Sequence, residues 1–111
     1  MIDPQPSDIF RPGQVLNNTY EIRGILGRGG TGEVYLAFNQ ISERTLAIKA
    51  LNARFSGNSD YVELMKREEQ MRSIMHDSVV RYSECSRTDE GHVFLVMDYV
   101  EGVPLSKLMF D

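Results

Sequence analysis

Five of the chain's nine glycines fall between residues 24 and 32, within the run GILGRGGTGEVYLAF. Glycine inside a regular element costs roughly 0.5–1 kcal/mol relative to alanine. A cluster this dense between two apolar runs is therefore either a slack loop or a place where something approaches the backbone closely. Gly27, Gly29 and Gly32 fit the pattern G-x-G-x-x-G. At average glycine usage, three fixed glycines arise by chance about 0.04 times in a chain of 111 residues. The pattern alone is weak, and its surroundings must decide what it does.

The flanking residues read as strands. Tyr20 to Leu26 and Glu33 to Phe38 are rich in strand formers, and the glycines join them as a hairpin. Asn39 to Glu43 is a polar turn, and RTLAIKAL (44–51) reads as a third strand. Asn52 to Ser59 reads as a loop. A helix is expected over Asp60 to Met75, with Asp60 as its cap and Glu63 completing a capping box. Leu64, Met65, Met71 and Met75 recur at helical spacing and supply its apolar face. Two more strands follow, Val79 to Ser86 and His92 to Val100, joined by a hairpin turn at Thr88-Asp89-Glu90-Gly91. Gly102 and Pro104 break the pattern before Leu105 to Phe110 starts a further helix. Residues 1–13, with three of the four prolines, read as an irregular lead-in. The expected fold is α+β: a five-stranded antiparallel sheet with one main helix against a face.

Two phosphate-binding uses of the glycine pattern fail on context. The dinucleotide fingerprint requires its last glycine to open a helix, but here Glu-Val-Tyr-Leu-Ala-Phe and a turn follow. A P-loop requires Gly-Lys-Ser/Thr, which is absent. The remaining use is a hairpin folded over a nucleotide's phosphates, here with Val34 two residues after the last glycine, and it demands a lysine on the next strand. Lys49 meets that demand in a chain with only three lysines. Strand alternation puts Ala47 and Lys49 on one face, and Leu46 and Ile48 on the other.

Gly27-Arg28-Gly29-Gly30-Thr31-Gly32-Glu33-Val34 together with Ala47-Ile48-Lys49 resembles the N-terminal lobe of a serine/threonine protein kinase, and bacterial members above all. The resemblance runs from about Gln14 to the chain end. It implies an ATP-binding lobe over 14–98, then a hinge and the start of a truncated second lobe over 99–111. Leu26, Gly27, Arg28, Gly29, Gly30, Thr31, Gly32 and Val34 would cover the nucleotide, and Ala47 would leave room for its ring. Lys49 would hold the α- and β-phosphates, oriented by a glutamate of the helix. Glu68 is chosen because it shares a face with Leu64, Met71 and Met75, and Glu69 is held in reserve because the spacing from Glu68 to His76 is one residue short. Met97 would stand at the back of the pocket, while Asp98 and Val100 would offer backbone groups to the adenine edge. ATP and Mg2+ are the implied cofactors.

Phosphoryl transfer also needs a base-like aspartate and magnesium ligands. The family's His-Arg-Asp and Asp-Phe-Gly segments do not occur here, so the 111 residues read as an inactive fragment of a kinase acting on Ser/Thr hydroxyls of proteins. No metal ligands are assigned within it. The alternative is a non-catalytic kinase-like module, against which the intact glycines and Lys49 weigh. A net charge of −4 gives no reason to expect nucleic acid or an anionic membrane as partner. The single Cys85 and the lack of a long apolar run suit a cytoplasmic protein. His76, His92 and Cys85 read as loop and packing residues. Self-association through the face meant for the absent half is a further expectation.

Overall fold

The computed structural model describes residues 2–75 and 82–98. Among the described residues six strands and two helices follow in order: β1 (Val15–Leu16), β2 (Tyr20–Arg28), β3 (Gly32–Asn39), β4 (Arg44–Leu51), α1 (Ala53–Ser56), α2 (Ser59–Met75), β5 (Tyr82–Arg87) and β6 (Val93–Asp98). All pairings are antiparallel and the sheet order is β1-β2-β3-β4-β6-β5. The third expected strand matches β4, and the hairpin and the β5–β6 turn stand where the sequence put them.

Two elements, β1 and α1, were not foreseen. The short strand β1 adds a sixth member to the sheet, pairing Val15 with Glu21 and Leu16 with Tyr20. The segment read as a loop after β4 contains α1, capped by Asn52, whose Oδ1 accepts from the Phe55 N–H at 3.2 Å. Ser56 ties α1 to the sheet by donating to the Leu51 carbonyl at 3.0 Å and accepting from the Val93 N–H at 2.9 Å.

Alternation along the strands builds two apolar layers. One contains Ile22, Ile25, Tyr35, Ala37, Leu46, Ile48, Ala50, Phe94 and Val96, closed over by Phe10. The other contains Leu51, Val93 and Leu95 beneath Val62 and Met65 of α2. Ile22 and Ile25 share a layer despite their odd spacing because β2 is irregular between Ile22 and Gly24. A second irregularity, between Ile25 and Gly27, leaves Gly27 opposite Val34. Each extra residue reverses which face the following side chains take.

Helix α2 differs from expectation in its cap and its face. It begins at Ser59, and Asn58 takes the capping role: its Oδ1 accepts from the Tyr61 N–H at 3.0 Å. Asp60 instead lies in the first turn, where a carboxylate suits the positive end of the helix dipole. The apolar face is rotated as well. Leu64 is 50% exposed, whereas Val62 and Met65 are buried. Met65 is buried as its helical spacing predicts, but Leu64, assigned to the same stripe, is not, because the contact with Leu51 and Leu95 selects Val62 and Met65. The expected helix over 105–110, the hinge including Val100, and His76 lie outside the described residues, as do the side chains of Met71 and Met75.

Candidate nucleotide site

The flap begins where β2 and β3 converge. Its last two ladder pairs before the tip are Gly27 with Val34 and Arg28 with Glu33. The turn is closed by the Gly29 N–H donating to the Gly32 carbonyl at 2.8 Å, so that amide holds the loop rather than facing outward for a ligand. The tip is moored to the end of β4. Asn52 donates its N–H to the Thr31 carbonyl at 2.9 Å and its side-chain amide to the Gly30 carbonyl at 3.4 Å.

The glycines serve different ends. A Cβ built on Gly32 would lie 1.8 Å from the Ala50 carbonyl oxygen. What approaches the backbone at Gly32 is therefore strand β4 itself. A Cβ on Gly30 would meet nothing within 4 Å. That position is open to a ligand, and residues 28–30 are exposed.

Beneath the flap, the sheet sets two rows across three strands. Val34 pairs with Lys49 and Lys49 with Leu95; Leu36 pairs with Ala47 and Ala47 with Met97. Val34, Ala47 and Met97 are buried, Leu26 is half-buried, and Lys49 is 2% exposed. An ammonium at this depth stays charged only where opposite charge and hydrogen bonds replace its water. Asp98 closes β6 opposite Leu46 and is half-buried. Leu26, the flap glycines, Val34, Ala47, Lys49, Met97 and Asp98 thus belong to one contiguous part of the sheet, with Lys49 directly across from Val34.

Two residues chosen from sequence sit differently. Glu68 is exposed, like Leu64 one turn before it. Arg28 directs its side chain to the far face. Its Nε donates to Asp8 Oδ1 and its Nη2 to Asp8 Oδ2, each at 2.9 Å, and Nη2 also donates to the Asp3 carbonyl at 2.8 Å. Any role of Arg28 toward a nucleotide falls to its backbone.

The sequence reading missed that far side. The lead-in is a built part of the fold: Phe10 is 1% exposed and packs on Tyr35, Phe94 and His92. Glu33 Oε1 accepts from the Ile9 N–H at 2.8 Å and from the Tyr35 hydroxyl, which in turn accepts from the Phe10 N–H at 3.0 Å. Burial and the neighbouring Glu33 push the Tyr35 hydroxyl well above its ordinary range. No local pattern signals Asp8, because its partner lies twenty residues on.

The guanidinium of Arg28 beside Asp8, helped by the Gln5 N–H, holds that carboxyl at about 2 against an ordinary 3.8. A carboxyl acidified by folding stabilises the fold fully above its unfolded pKa and loses that contribution as pH falls toward the folded one. The expected result is a fall in the denaturant midpoint between about pH 4 and pH 2 that is shallower in Asp8→Asn. Equal slopes in the two proteins would show that the pair adds no pH-dependent stability.

A six-stranded antiparallel sheet with a helix on one face and a glycine flap over a buried lysine defines the architecture of a kinase amino-terminal lobe. The protein kinase domain model matches residues 20–110. The chain belongs to the protein kinase family. It is 37% identical over 91 residues to the serine/threonine-protein kinase PknH of Mycobacterium tuberculosis, covering 81% of this chain and 14% of that protein. It is 31% identical over 96 residues to the serine/threonine-protein kinase PrkC of Bacillus subtilis, covering 86% of this chain and 15% of that one. The fold superposes on the crystal structure of the M. tuberculosis PknI kinase domain with a TM-score of 0.67 at 23% identity, over 89% of this chain and 39% of that one. The chain thus spans about one seventh of the length of these curated relatives. Among the described residues no helix is long and apolar enough to cross a membrane, and no group of three His, Cys, Asp or Glu is placed to hold a metal ion.

Proposed function

We propose that residues 14–98 form the ATP-binding lobe of a kinase that transfers the γ-phosphate to Ser or Thr hydroxyls of proteins. The observation that carries this reading is Lys49, 2% exposed and directly opposite Val34 beneath a flap whose tip is open at Gly30. Such a lysine suits an anionic ligand on the same face. In that reading the flap backbone lies along the triphosphate, and Lys49 holds the α- and β-phosphate oxygens. Val34 and Ala47 line the space for the adenine ring, Met97 stands at its back, and the ends of β6 and the hinge meet its polar edge through Asp98 and Val100. Mg2+ bound with ATP supplies charge neutralisation of the phosphates, and no residue described here is assigned to it.

The carboxylate that orients Lys49 is proposed to come from α2. Because Glu68 is exposed, the reserve residue Glu69, which helical spacing sets four residues after Met65 and seven after Val62, is taken for this role. Glu69→Gln is therefore expected to reduce phosphoryl transfer by the intact protein by about 10²-fold or more, and Glu68→Gln by less than about threefold. Steady-state assays with labelled ATP decide it; the reverse ranking would return the pair to Glu68.

A further inference from the structure

Both members of the last ladder pair before the flap tip are grasped by one segment that the flap's own chemistry does not require. Arg28 is held in a two-pronged pair with Asp8, and its cross-strand partner Glu33 accepts from the Ile9 N–H. The same segment bridges Ile2 to Ile25 through the Ile2 N–H and the Ile25 carbonyl at 2.9 Å, and seats the Phe10 N–H on the Tyr35 hydroxyl. The Asp8 side chain is only 1% exposed, that of Arg28 30%. Burying a carboxylate is costly unless it is paired and hydrogen-bonded, and here its fork-to-fork geometry fixes orientation as well as charge. The held face is the one opposite Gly27 and Val34, so the segment leaves the nucleotide side clear.

We propose that residues 2–10 act as a strap that fixes the pose of the flap, with Asp8 as a positioning residue for nucleotide binding through Arg28. The proposal rests on the nucleotide-site reading above. A flap whose tip residues 28–30 are exposed has few side chains of its own to order it. Anchoring its root from behind lowers the ordering cost of closing over a ligand.

The test uses the intact protein, with hydrogen exchange of backbone amides and the affinity for a fluorescent N-methylanthraniloyl ATP in the presence of Mg2+. In Asp8→Asn, exchange at residues 29–33 is expected to rise about tenfold while that at 46–50 in β4 stays as in the unsubstituted protein. Affinity for the nucleotide is expected to fall about tenfold. Arg28→Lys, which keeps the charge but loses the fork, is expected to fall between, and decides the matter by the same readouts if Asp8→Asn does not fold. Flap exchange that does not change, exchange that rises equally across β4, or a looser flap with unchanged affinity would each overturn the strap. If the unsubstituted protein takes up no nucleotide, the nucleotide-site reading fails instead, and the exchange pattern still reports whether the segment restrains the hairpin.

Discussion

Under the proposed function, replacing Lys49 by methionine is expected to abolish phosphoryl transfer by the intact protein while leaving its sheet folded. Methionine keeps the length and apolar stem of a side chain that is 2% exposed between Val34 and Leu95, so it creates neither a cavity nor a clash. What it removes is the one positive charge that β4 presents beside the flap. A preorganised charge aimed at developing phosphate charge commonly accounts for about 10²–10³-fold in rate, and loss of phosphate positioning adds to that. Assay with labelled ATP should show a fall of at least about 10³-fold, with circular dichroism matching the parent. Turnover within about tenfold of the parent would mean that this lysine does not hold the phosphates.

The second large effect separates two glycines that look alike in sequence. Gly32→Ala puts a Cβ 1.8 Å from the Ala50 carbonyl oxygen. Backbone on both sides must move, and the β3–β4 ladder from Gly32–Leu51 onward is the structure that would yield. A loss of about 3 kcal/mol or more in unfolding free energy is expected. Gly30→Ala meets open space and should stay within about 0.5 kcal/mol of the parent. Denaturant melts of the two variants measure the contrast. Equal stabilities would show that Gly32 is dispensable to the sheet and that its place in the loop answers to the ligand alone.

That contrast also shows where the sequence was readable. The strands flanking the flap, β4 from Arg44 to Leu51, and the opposition of Ala47 and Lys49 to Leu46 and Ile48 follow from alternation, a local property of the chain. The reason for Gly32 was not local, because Ala50 approaches it across a ladder set by the whole hairpin. The face of α2 was hidden for a similar reason. Leu64 and Met65 are equally apolar, and only docking against Leu51, Val93 and Leu95 selects Val62 and Met65 for burial. Asn58 and Asp60 are both competent caps, and which one starts the helix depends on how α1 delivers the chain.

The lead-in was the largest gap. Its prolines and lack of period read as irregular, and irregular it is, yet Asp8 and Phe10 are among the buried residues. Their partners Arg28, Tyr35 and Phe94 lie in strands well downstream, and no short-range pattern encodes such a meeting. Within the candidate site, the flap, Val34, Ala47 and Lys49 were legible because a motif fixes their spacing. Asn52, which moors the flap tip, and Asp8, which grips its root from behind, carry no motif at all.

The proposed function requires that Lys49 meet the phosphates beneath the flap. Titrating the intact protein with Mg2+-ATP, while following the side-chain ammonium of Lys49 and the amides of Gly30 and Thr31 by nuclear magnetic resonance, tests this most directly. All three signals are expected to shift together with one dissociation constant, and adenosine alone should leave the ammonium unmoved. Saturable ATP binding that shifts neither the Lys49 ammonium nor the flap amides would contradict it.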